Sequence, residues 1–100
     1  MSPLVVGALE MELHIGASRS LKAKRTVVRH LVEAARHRFG VSGSEVEHHD
    51  RWQRAGIGFC VVAPDVARVE EILDRVERFV WSHPEVEVTS SARHWLDTEP

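Results

Sequence analysis

An α+β sandwich, with two helices packed on one face of a four-stranded antiparallel sheet, is the fold this sequence predicts, on three observations. Apolar and polar residues alternate near both ends of the chain, over 4–15 and 85–94. Apolar residues recur at helical spacing in two long segments, 21–39 and 66–80. Two short strand-like runs, 41–49 and 55–63, lie between those segments and are joined by the polar turn DRWQR. The order βαββαβ defines the ferredoxin-like arrangement, and right-handed crossovers place the strands in the order 4-1-3-2.

Each element has its own justification. The first strand puts Val5, Leu9, Met11, Leu13 and Ile15 on one face and Glu10, Glu12 and His14 on the other, the period of a half-buried strand. The first helix begins near Ser20 and turns Leu21, Val28, Leu31, Val32, Ala35 and Phe39 to one side, with Gly40 as its stop. Pro64 and Asp65 open the second helix, which carries Val66, Val69, Ile72, Leu73, Val76, Phe79 and Val80 on one face. Pro84 follows its end, and Val86 and Val88 point inward from the last strand.

One hundred residues make a single domain, 1–100, with room for a modest core. A lone cysteine, Cys60, excludes an internal disulfide framework and suits a reducing compartment. No apolar run reaches bilayer length and no signal-peptide pattern opens the chain. The expectation is a soluble, cytoplasmic protein. Its net charge of −2 is unevenly spread. Residues 19–38 hold seven Arg or Lys against Glu33 alone, a local balance of +6, and the rest of the chain stands at −8. Such segregation bears on partners more than the total does.

The topology turns that pattern into surfaces. The loop after the first strand, GASRSLKAK, and the hairpin DRWQR fall at one end of the domain. Lys22, Arg25, Arg29 and Arg36 form a stripe beside the apolar face of the first helix, and Glu70, Asp74 and Glu77 form an acidic stripe on the second. Right-handed crossovers rotate the two stripes toward opposite sheet edges. Val27 and Leu31 are then left to face Ile72 and Phe79. Lys22 and Arg25 sit where the helix dipole disfavours cations by roughly 0.3–1 kcal/mol each, so a compensating anion is expected nearby. Arg19, Lys22, Arg25, Arg29, Arg51 and Arg54 are the candidate RNA-phosphate contacts. Trp52 is either a group on which unpaired bases stack or a cap folded back on the core.

The open sheet face is expected to carry Glu10, Glu12, Glu45, Glu47 and Glu87, which repel phosphate. Its apolar remainder, Val6, Ala8, Cys60 and Val62, offers a homodimer contact. Glu12, His14, Glu47 and His49 share one end of that face and are candidate metal ligands. Two strand spacings of about 4.8 Å separate them, so the expectation is no metal, no cofactor and no catalytic group. No Ser-His-Asp or Cys-His order is legible, and no glycine-rich phosphate loop appears. The reading is a non-enzymatic protein that binds RNA or a ribosomal surface; the alternative is a homodimeric module binding a protein or small ligand through its sheet.

Three stretches, VVGALEMELHIGASRSLKAKR, RFGVSGSEVEHHDRWQRAGIGFCVV and VERFVWSHPEVEV, resemble the YlxP-like family of small bacterial proteins of unknown function. The resemblance implies a ferredoxin-like fold. It also implies a link to translation, because the family's genes commonly neighbour those of initiation and ribosome-maturation factors. Two positions depart from the family. Ala23 stands where a glutamate is usual, which removes a capping box and the one acid of that turn. Arg51 stands where leucine is usual and adds a cation to the hairpin.

Overall fold

The computed structural model describes residues 4–96. The elements run β1 (Val5–His14), α1 (Leu21–Phe39), β2 (Ser42–Glu47), β3 (Arg54–Ala63), α2 (Val66–Trp81) and β4 (Glu87–Leu96). The sheet order is β2-β3-β1-β4, the predicted order read from the other edge. Every pairing is antiparallel. No described helix is long and apolar enough to cross a membrane.

Both helices start where their caps dictate. Ser20 Oγ accepts the Ala23 amide at 3.0 Å, and an Asp65 carboxylate oxygen accepts that of Arg68 at 2.8 Å. Each cap satisfies one of the backbone donors that a helix start leaves free. Gly40, at φ 67°, ends α1 in the left-handed region, and its amide donates to the Arg36 carbonyl.

The core lies between the sheet and the helices. Leu9, Met11, Leu13, Ile57, Phe59, Leu31, Leu73, Val76 and Val80 are all buried there. Val27, Ile72 and Phe79 are half-buried against it. Val66 is exposed at the start of α2, where only the first turn would shield it. Phe39 and Phe79 meet edge to face, 5.6 Å between ring centroids, and join the two helices. Gly7 lets α2 approach β1: a Cβ there would stand 2.5 Å from Val69 Cγ1.

One local feature shapes the functional surface. The register of β2 against β3 slips between Glu45 and Glu47, a β-bulge that adds one residue to the edge strand. His48 follows at φ 62°, the one left-handed residue other than glycine among those described. The bulge changes which face each following side chain occupies.

Candidate nucleic-acid interface

The loop between β1 and α1 and the β2–β3 hairpin are stitched together, as the topology requires. The Ile15 amide donates to the Gln53 carbonyl at 2.8 Å. Gln53 Nε2 donates in turn to the carbonyls of Gly16 at 3.0 Å and Ser18 at 3.2 Å. Arg19 Nη1 takes Gly16 O as well, at 3.1 Å. These contacts leave a cleft of about 460 Å³ between loop and hairpin, lined by Ser18, Arg19, Arg51, Trp52, Gln53 and Arg54, with His14 at its rim. Trp52 does not cap the core: it is 56% exposed.

Lys22, Arg25, Arg29 and Arg36 are exposed along α1. Arg25, Arg29 and Arg36 line a groove between α1 and β2, together with Glu33 and Glu45. Glu33 lies beside these arginines, yet no ion pair joins it to one among the described residues. The acids of α2 face the other way. Arg93 on β4 donates to Asp74 Oδ1 at 2.7 Å and to Glu77 Oε1 at 2.9 Å. Partial burial pulls the Arg93 pKa down, but the hydrogen bonds and charges of Glu77 and Asp74 outweigh it and leave the value raised. The two charged stripes therefore serve opposite edges of the sheet.

Lys24 departs from the exposed pattern of its neighbours. It is 0% exposed, and its Nζ donates to Glu45 Oε2 at 2.7 Å and to the His48 carbonyl at 2.9 Å. Lysine is almost never buried unless paired in this way. The signal was present in the spacing: Lys24 stands four residues before Val28 and seven before Leu31, in the middle of the buried stripe of α1. Its partner is not legible in the same way, because alternation along β2 predicts Glu45 on the open face, whereas its carboxylate points toward α1.

The metal-ligand expectation is corrected by the same bulge. Glu12 and Glu47 do come together over Gly56, where a Cβ would be 2.9 Å from Glu47 Cβ and 3.0 Å from Glu12 Oε2. The histidine beside them is His48, not His49: potential ligand atoms of Glu12, Glu47 and His48 all lie within 4.8 Å of one another. His49 Nε2 instead lies 3.2 Å from the Glu45 carbonyl, and His14 Nδ1 lies 3.8 Å from Glu87 Oε1. Arg54 already serves this cluster, with Nη2 3.3 Å from Glu12 Oε1 and 3.4 Å from His48 Nε2. Arg54 is thus tied to a carboxylate, unlike Arg51, which has no ion pair among the described residues.

Elsewhere on the open face, Val62, Val6 and Leu96 stand abreast on β3, β1 and β4. Val62 and Leu96 are exposed, as is Cys60.

Fold and surface together define a small ferredoxin-like α+β domain in which Lys22, Arg25, Arg29, Arg36 and Arg51, cations with no ion pair among the described residues, lie on one helix flank and the adjoining hairpin. The profile of the family described as "Protein of unknown function (DUF503)" matches residues 6–93. An uncharacterized protein of Bacillus subtilis (strain 168), YlxP, is 35% identical over 92 residues, covering 92% of this chain and 100% of the relative. The chain belongs to the DUF503 family.

Proposed function

We propose that this chain is a non-enzymatic accessory protein that binds RNA, free or on a ribosomal surface, along the outer flank of α1 and the adjoining hairpin. The observation that carries the reading is the run of cations without ion pairs along the α1 flank and the adjoining hairpin. Lys24, Arg54, Arg68, Arg75 and Arg93 each have a carboxylate oxygen within 3.3 Å. Lys22, Arg25, Arg29, Arg36 and Arg51 have no ion pair among the described residues. A face that serves only solubility interleaves both signs; on α1, Glu33 is the one acid beside the exposed cations Lys22, Arg25, Arg29 and Arg36. The first turn of α1 contains no acid to balance its cations, and a phosphate at that end removes the conflict with the helix dipole. The sheet face is a poor alternative platform, since Glu10, Glu12 and Glu47 stand on it.

The test is a salt titration of ribosomal RNA binding by the wild type and by Lys22→Glu, Arg25→Glu. The wild-type log K should fall by roughly 0.7–0.9 per phosphate contact for each tenfold rise in salt. The variant should bind more weakly and with a shallower slope. Equal affinity and equal slope for the two proteins would reduce the stripe to a solvated face.

A second reading is favoured by the apolar row Val62, Val6 and Leu96 on the open sheet: a module that pairs with a second copy or a protein through that face. Sedimentation at increasing concentration checks it. A dimer that Val62→Glu abolishes supports it, and a monomer at all concentrations removes the homodimer.

A further inference from the structure

We propose that the cleft beside Trp52 receives one unpaired nucleotide of the bound RNA, its base stacked on the indole and its phosphate held by Arg19 and Arg51. The inference rests on the RNA-binding reading above and adds which kind of RNA the site selects.

Three features of the cleft point to this occupant. The indole is 56% exposed, although large aromatic side chains are mostly buried in folded domains. An exposed ring between arginines is what base stacking needs. No carboxylate lines the cleft, and the one acid in contact with a lining arginine, Glu12, engages Arg54 from the open sheet face. Arg54 is therefore set aside, which leaves Arg19 and Arg51 to meet an anion.

The backbone of the cleft is prepared as well. The Gly16 and Ser18 carbonyls, which would repel a phosphate, already accept hydrogen bonds from Gln53 and Arg19. With those acceptors occupied, the remaining Arg19 donors and the Arg51 guanidinium face a ligand of opposite charge. The hairpin is anchored from below by Lys24, whose Nζ holds the His48 carbonyl at 2.9 Å. A ligand thus meets walls already in place, which reduces the ordering that binding demands.

Size and connectivity separate a nucleotide within a strand from other ligands. At about 460 Å³ the cleft falls within the size range of small-molecule sites. A paired base in a duplex cannot offer its face to the indole, whereas a bulged or looped-out base can. Arg19 directly precedes the α1 N-cap, and Lys22 and Arg25 follow in the first turns. The flanking phosphates of the same strand then have cations along their path.

The test compares two RNAs of equal charge, a blunt duplex and the same duplex with a single-nucleotide bulge, by fluorescence anisotropy. Stacking one base is worth about 1–3 kcal/mol, so the wild type should prefer the bulged RNA by roughly 5- to 150-fold. Trp52→Ala should bind both RNAs with the wild-type affinity for the blunt duplex, and Trp52→Phe should keep most of the preference. Trp52 is exposed, so neither change should alter the melting temperature, which is checked alongside. Equal wild-type affinity for the two RNAs overturns the nucleotide cleft and leaves the basic flank standing. Failure to bind either RNA overturns both readings. Nucleoside monophosphate binding that is as tight as bulged RNA, and unchanged in Lys22→Glu, Arg25→Glu, would overturn the strand-bound occupant in favour of a free nucleotide.

Discussion

Glu45 holds the one buried ammonium among the described residues, so the two members of that pair should respond differently to mutation. Removing Glu45 leaves Lys24 buried with only the His48 carbonyl as partner, and breaking a buried pair in this way typically costs about 3–5 kcal/mol. Glu45→Ala should lower the urea midpoint accordingly, with little change in slope. Adding Lys24→Met to the same protein should recover most of the loss, because an apolar side chain of similar length needs no partner. No recovery in the double variant would show that Glu45 acts through something other than Lys24. The neighbouring cluster makes an opposite prediction. Arg54 lies 3.3 Å from Glu12 Oε1, where its guanidinium supplies the positive charge that two nearby carboxylates require. Elemental analysis of purified protein should therefore find well under one equivalent of zinc. Arg54→Ala should raise zinc uptake, and an equivalent of zinc in the wild type, lost on His48→Ala, would refute this assignment.

At the level of elements, the periodic segments were legible and the irregular one was not. β1, α1, β3 and α2 repeat their apolar spacing over two or more turns or pleats, so a single unusual residue does not shift the assignment. β2 has six residues and no such redundancy. Reading Glu45 and Glu47 as facing the same way makes Val46 the inward residue, which a hydrophobicity pattern favours. In the fold, Val41 is buried and Val46 exposed, and the bulge after Glu45 breaks the alternation. That one-residue slip concealed both the Lys24–Glu45 pair and the choice of His48 over His49. Gly7→Ala should destabilise by about 1–3 kcal/mol, since its Cβ would lie 2.5 Å from Val69 Cγ1 and α2 would have to shift. Conversely, Lys22→Glu, Arg25→Glu should raise the melting temperature of the free protein, because acids suit a helix N-terminus by up to ~1 kcal/mol each. A lower melting temperature would mean that these side chains support the fold rather than burden it.

Across the whole molecule, charge is distributed by edge. The β4 edge matches its arginine to the acids of α2, and the β2 edge borders the α1 flank whose cations have no ion pair among the described residues. The Arg93 contribution should be insensitive to ordinary changes of pH. Its raised folded pKa means that the stabilisation is complete below the unfolded value and fades only as strong alkali deprotonates the group. Thermal scans of wild type and Arg93→Met between about pH 7 and 9 should thus stay separated by a constant interval. The burial of Lys24 also has a consequence for the chemistry of the free amine. The sequence holds only two lysines, Lys22 and Lys24, two residues apart and in opposite environments. An acylating reagent should modify Lys22 within the mixing time and reach Lys24 only when the hairpin lifts away from α1. The ratio of the two modification rates, read from a single peptide by mass spectrometry, becomes a built-in gauge of how often that hairpin opens.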